Sequence, residues 1–169
     1  NSSNPITEYS IFLEDDWNGQ SHQNIYWNTN ANSSTDYVKN LGSISMGSSN
    51  GSFTIAEVIS NGMESNSTSI GSVNSLTKLG SGTITFTNAN TYTGLTSINA
   101  GTLQLNKSGG GTLPSTNSIT VNSGGTLRIS SNQTLAALTI NSGGTLLIDS
   151  GVELTVTGTL TNNGTMTIE

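Results

Sequence analysis

Apolar and polar residues alternate in short runs through the C-terminal half of the chain, and successive runs are joined by corners that contain glycine. The clearest unit is Ile119-Thr120-Val121-Asn122-Ser123-Gly124-Gly125-Thr126-Leu127-Arg128-Ile129. It returns 19 residues later as Leu138-Thr139-Ile140-Asn141-Ser142-Gly143-Gly144-Thr145-Leu146-Leu147-Ile148. A looser copy, Leu160-Thr161-Asn162-Asn163-Gly164-Thr165-Met166-Thr167-Ile168, follows, and Gly82-Thr83-Ile84-Thr85-Phe86 and Gly101-Thr102-Leu103-Gln104-Leu105 carry the signal upstream. Side chains of a strand point alternately to opposite faces, so this period of two predicts strands with one buried face. Glycine accepts positive φ without steric penalty and suits the corner between two strands.

A strand, a tight turn and a strand cannot bury their own apolar face. Stacked coils can, because they align Leu103, Leu127, Leu146 and Met166 in one inner row and Leu105, Ile129, Ile148 and Ile168 in a second. Leu135 and Leu154, also 19 apart, predict a third strand in each coil. The same grammar spells β-hairpins, but a meander has no reason to hold a constant phase of 19 or 20 residues. The expected fold is all-β, a right-handed parallel β-helix (β-solenoid) with an N-terminal cap. Ile44 to Ile55 shares the strand–corner–strand pattern, so the repeats are placed at 41–169, clearest over 76–169. They are expected to continue beyond the C-terminal end, since Thr167-Ile168-Glu169 falls in a strand. Residues 56–69 read as a loop leaving the rod, with one helical turn over Ala56 to Ile59. Residues 1–40 lack the repeat and hold six aromatic residues, which reads as a cap.

Composition sharpens this picture. Hydrophobic residues make up only 31% of the chain and charged residues 8%. Disordered chains are also poor in apolar residues, but they carry more charge and no organised alternation; a thin core shared by many coils fits better. The formal charge is −6, with Lys39, Lys78, Lys107 and Arg128 scattered, so the basic footprint of a nucleic-acid binder is missing. No cysteine is present, which excludes disulfides and thiolate metal sites. No run of apolar residues is long enough for a membrane-spanning helix.

The segment 76–105 resembles the autotransporter-associated β-strand repeat, also called the passenger-associated transport repeat. The resemblance lies in Lys78-Leu79-Gly80-Ser81-Gly82-Thr83, Asn90-Thr91-Tyr92-Thr93-Gly94 and Ala100-Gly101-Thr102-Leu103-Gln104-Leu105. Leu95 departs from it, standing where the family often has a small residue. The resemblance implies a right-handed β-helical passenger of a large bacterial surface or secreted protein, often an adhesin. It also implies contact with the bacterial secretion machinery during export and an extracellular or cell-surface location.

Little in the chain suggests catalysis. His22 is the single histidine, and Asp15 and Asp16 sit beside a turn-like Trp17-Asn18-Gly19, so no catalytic residue is assigned and the protein is not expected to be an enzyme. Glu14-Asp15-Asp16 lacks the spaced oxygen ligands of a calcium loop, and no metal or cofactor is expected. Gly109-Gly110-Gly111 has no following helix or lysine of a phosphate loop and reads as a surface loop. Thr-x-Thr pairs such as Thr83/Thr85 and Thr165/Thr167 raise ice binding, but threonine is also an ordinary outward strand residue. Polysaccharide lyase or hydrolase chemistry lacks a basic cluster and paired carboxylates.

The expected function is a structural and adhesive segment, a stalk that holds binding determinants away from a cell, with a host-cell, surface or glycan ligand. The alternative is a carbohydrate-binding module in which Trp17, Tyr26, Trp27 and Tyr37 stack on sugar rings among amide side chains. The competing reading of those four rings is the closure of the first coil.

Overall fold

The computed structural model describes residues 24–25, 43–47, 51–56, 58–59 and 75–169, and these form strands, turns and loops without a helix. The strands are β1 (Asn24–Ile25), β2 (Ser43–Gly47), β3 (Ser52–Ile55), β4 (Val58–Ile59), β5 (Ser75–Leu79), β6 (Thr83–Phe86), β7 (Thr96–Ile98) and β8 (Gly101–Leu105). They continue as β9 (Ser118–Val121), β10 (Gly125–Ile129), β11 (Gln133–Leu135), β12 (Ala137–Ile140), β13 (Thr145–Ile148), β14 (Leu154–Val156), β15 (Leu160–Asn162) and β16 (Thr165–Ile168).

No two consecutive strands are neighbours in a sheet. One six-stranded sheet runs β2-β5-β7-β9-β12-β15, a second runs β3-β6-β8-β10-β13-β16, and the short pairs β11-β14 and β1-β4 complete the set. Every pairing is parallel. Hairpins require antiparallel neighbours, so the chain is a β-solenoid: each coil lays one strand in the first sheet, turns a corner, lays one in the second, and returns along a third side.

The inner rows run as the alternation predicts. Ile84, Leu103, Leu127, Leu146 and Met166 are partners in register, as are Phe86, Leu105, Ile129, Ile148 and Ile168. The first sheet contributes Leu76, Thr96, Ile119, Leu138 and Leu160 in one row and Lys78, Ile98, Val121, Ile140 and Asn162 in another. Most of these side chains are fully buried, and in the last coil Leu160, Met166 and Ile168 are exposed.

Two expectations need correction. Among the described residues of 56–59 there is no helical turn: Val58 and Ile59 form a strand that pairs in parallel with Asn24 and Ile25, and Ile59 is buried. Its two β-branched residues gain a ladder and a place in the core, which a single exposed helical turn would not provide. The third strand is not present in each coil: it forms at β11 and β14 but not over 87–95 or 106–117, and Leu154 pairs with Gln133 and Leu135 with Val156, so the offset there is not 19. The cause is a wider turn at Asp149–Gly151, where Gly151 takes φ +74°; it adds two residues between Ile148 and Leu154 relative to the stretch between Ile129 and Gln133.

The corners stack as tightly as the rows. Gly101 has φ +61°, and a Cβ there would lie 2.4 Å from the carbonyl oxygens of both Gly80 and Gly82. Beside the corners an amide ladder climbs the rod: Asn122 Nδ2 donates to Asn99 Oδ1 at 2.7 Å and Asn141 Nδ2 to Asn122 Oδ1 at 2.8 Å.

Candidate functional site

The most distinctive chemistry lies inside the rod, in the coil that follows β5. Strand parity turns Leu76 inward and Thr77 outward, so Lys78 also faces the core, and it is fully buried. An ammonium carries three donors and no acceptor. Lys78 Nζ donates to Leu79 O at 2.7 Å, Gly80 O at 2.7 Å and Ala100 O at 3.0 Å. Two of these carbonyls belong to its own corner and the third to the corner of the next coil. Among the described residues no carboxylate pairs with the charge, and burial lowers the pKa to about 8.

A second buried cluster occupies the third side of the same coil. Tyr92, Thr96 and Asn117 are all fully buried. Asn117 Nδ2 donates to Gly94 O at 2.8 Å, which fixes the amide so that Oδ1 accepts from Thr96 Oγ1 at 2.9 Å. Thr96 has one hydroxyl proton and it is committed there, so the 2.7 Å contact with Tyr92 is donated by the phenol. Burial pushes the Tyr92 phenol above its ordinary value.

Side-chain amides stand in for missing strand ladders on this third side. The segments 87–95 and 106–117 contain no strand. Asn90 Oδ1 accepts from Ile59 N at 2.8 Å while its Nδ2 donates to Thr112 O at 3.1 Å, joining the coils on either side. Gln133 bridges upward in the same way, accepting from Leu113 N at 3.0 Å and donating to Leu113 O at 2.9 Å. Both backbone groups of Leu113 are thereby paired although Leu113 itself is not in a strand.

The outer surface is less ordered toward a single ligand. Thr83, Thr102, Thr126, Thr145 and Thr165 form one outward column, but the next holds Thr85, Gln104, Arg128, Leu147 and Thr167. That second column breaks the paired threonine array an ice plane would require. Arg128 Nε meets Asp149 Oδ1 at 2.8 Å and Nη2 meets Glu169 Oε2 at 3.5 Å, a clamp over three coils. Gly109, Gly110 and Gly111 have φ of 80°, 79° and 69° and form a loop.

The sequence-predicted ring cluster, Trp17, Tyr26, Trp27 and Tyr37, lies outside the described residues, as do His22 and Glu14 to Asp16. Lys78, Asn90, Asn117 and Gln133 were not singled out from sequence as parts of a site. Parity with Leu76 was the available signal for Lys78, since a lysine at an inward strand position needs a buried partner. Among the described residues no group of three histidine or acidic side chains is placed to hold a metal, and no helix is long and apolar enough to cross a membrane.

These features define the class: a parallel β-solenoid with a specialised coil sealed by buried polar side chains. Residues 76–105 match the family model described as Passenger-associated-transport-repeat, so that coil is similar to a passenger-associated transport repeat. The match begins at Leu76, two residues before the buried lysine, and closes at Leu105 in the second inner row. No curated protein and no solved structure matches the chain. Leu95, where the sequence departs from the family pattern, is 44% exposed and takes no part in the buried clusters, although its carbonyl accepts from Leu76 N at 2.9 Å.

Proposed function

We propose that this chain is a structural segment of the passenger of a bacterial autotransporter-type protein, exported to the cell surface or beyond, where it holds adhesive determinants away from the membrane. The observation that carries this reading is the passenger-associated transport repeat at 76–105, set within an uninterrupted stack of parallel coils. A solenoid gains length by about 4.8 Å for each coil added, which suits a spacer, and its stability accrues from neighbour contacts as the coils stack. The buried Lys78 and Tyr92 clusters are saturated by internal partners, which supports a scaffolding role for the repeat over a catalytic one. Its partners are the secretion machinery during export and a surface or glycan ligand afterwards.

The test is surface display. The chain replaces part of the passenger of an autotransporter in a Gram-negative host, with the native translocating barrel kept. Intact cells are then treated with protease and probed with antibody, and the displayed protein is assayed for adherence to epithelial cells and matrix proteins. Antibody-accessible, protease-resistant protein that raises adherence supports the reading. Protein retained in the periplasm rejects export, and displayed protein without adherence rejects the adhesive role.

A further inference from the structure

One coil is longer than the coils that follow it. From Leu105 to Ser118 the chain takes 13 residues to return to the first sheet, whereas from Ile129 to the equivalent Ala137 it takes 8. The extra residues build the loop that contains Gly109, Gly110 and Gly111, all with positive φ. A Cβ at Gly109 or Gly111 would meet nothing within 4 Å, so this shelf carries backbone and no side chain over open space. Between the shelf and the β11–β14 sheet lies a groove of about 390 Å³, lined also by Ser115, Asn132, Thr134 and Glu153. Its volume lies within the range of small-molecule sites, roughly 300–1,000 Å³.

The walls are held by the scaffold. Gly111 N donates to Asn132 O at 2.8 Å, and Glu153 N donates to Asn132 Oδ1 at 2.9 Å, so the other side of the Asn132 amide is an NH₂ donor. Glu153 Oε1 accepts from Thr155 Oγ1 at 3.3 Å, and the carboxylate keeps further acceptor capacity. Lys107, in the same loop, turns its ammonium into the loop, donating to Ser108 O at 3.2 Å and Gly110 O at 3.0 Å. The groove therefore offers a carboxylate acceptor, an amide donor and hydroxyls of both capacities, and its one lining charge repels anions. Vicinal hydroxyls of a sugar present the complementary donors and acceptors.

We propose that this groove binds a neutral oligosaccharide. Among the described residues no aromatic ring lines it, so binding rests on hydrogen bonds and is weak, about millimolar. The test is amide chemical-shift mapping of the ¹⁵N-labelled chain with maltotriose, cellotriose, N-acetylchitotriose and, as the anionic comparison, sialyllactose. Saturable shifts at Gly109 to Gly111, Thr134 and Glu153 with at least one neutral trisaccharide, and weaker shifts with sialyllactose, are expected. Thr134→Val and Glu153→Gln should each weaken that binding about tenfold, and Thr126→Val on the second sheet should leave it unchanged. Amide spectra outside the groove establish that each variant is folded. The absence of saturable shifts with every neutral probe, shifts centred elsewhere, or binding by folded Thr134→Val equal to that of the parent would overturn the proposal.

Discussion

Lys78 and Ala100 sit in successive coils, and the ammonium of the first donates to the carbonyl of the second at 3.0 Å inside the core. With Leu79 O and Gly80 O as its other acceptors, one lysine ties two stacked corners together. Replacing it with an apolar side chain of similar length leaves three carbonyls without that donor. Lys78→Met should therefore lower the stability of the solenoid by about 3 kcal/mol. In urea unfolding the midpoint should fall with little change in slope; an unchanged midpoint would mean that the carbonyls find water instead.

The same lysine gives stability a pH dependence. Its folded pKa, about 8, lies below the ordinary 10.5, so between those values the unfolded chain binds more protons than the folded one. Stability then rises with pH, by about 1–2 kcal/mol between pH 8 and 10. Tyr92 acts with the opposite sign: burial raises its pKa above the ordinary 10.0, so its contribution is lost as pH climbs past that value. Urea midpoints should climb from pH 8, turn over near pH 10, and lose the climb in Lys78→Met. A midpoint that falls steadily from pH 8 would contradict this assignment of Lys78.

Much of this was legible in the sequence because one signal was redundant. Leu127, Leu146 and Met166 each follow a glycine corner at the same distance, and five coils repeat the alternation, so the inner rows needed no tertiary information. The third side was less legible, since turn length varies there. A wider turn at Asp149–Gly151 shifted Leu154 from Leu135 to Gln133, and a strand of two residues, Val58–Ile59, is too short to show a period. The buried polar clusters were hidden for another reason. Asn and Thr are common throughout this chain, so composition does not separate the outward Thr77 from the buried Thr96; only the parity of β5 and β7 turns Lys78 and Thr96 inward.

The Tyr92–Thr96–Asn117 relay should behave as one unit. Thr96→Val removes the middle hydroxyl and leaves a buried phenol and a buried amide oxygen unpaired, at a cost of about 2–3 kcal/mol. Tyr92→Phe should then cost about 1 kcal/mol less in the Thr96→Val background than in the parent. Thermal or urea unfolding of the four-member cycle checks this, and strict additivity would show that the three groups act separately.

Two glycines with similar backbone angles should respond differently to alanine. At Gly101 the added Cβ meets backbone oxygens of the preceding coil at 2.4 Å, and at Gly151 it meets nothing within 4 Å. Gly151→Ala carries only the left-handed backbone penalty, about 1–2 kcal/mol. Gly101→Ala carries that penalty and also forces two stacked corners apart, so its loss should exceed that of Gly151→Ala by at least about 1 kcal/mol. Equal losses would indicate that the corners are looser than the contact implies.

The parallel stacking itself is tested most directly by distances between nitroxide labels, since the chain has no cysteine of its own. Ser52, Thr83, Thr102, Thr126, Thr145 and Thr165 form one column of register partners, so Ser52 lies four coils from Thr145 and five from Thr165. Labels on cysteines placed at Ser52 and Thr145 should be about 19 Å apart, and at Ser52 and Thr165 about 24 Å. The two distances should thus differ by one strand spacing although the second site is 20 residues farther along the chain. Narrow distributions separated by about 5 Å are the predicted result; broad distributions, or a second distance equal to or shorter than the first, would contradict a stacked solenoid.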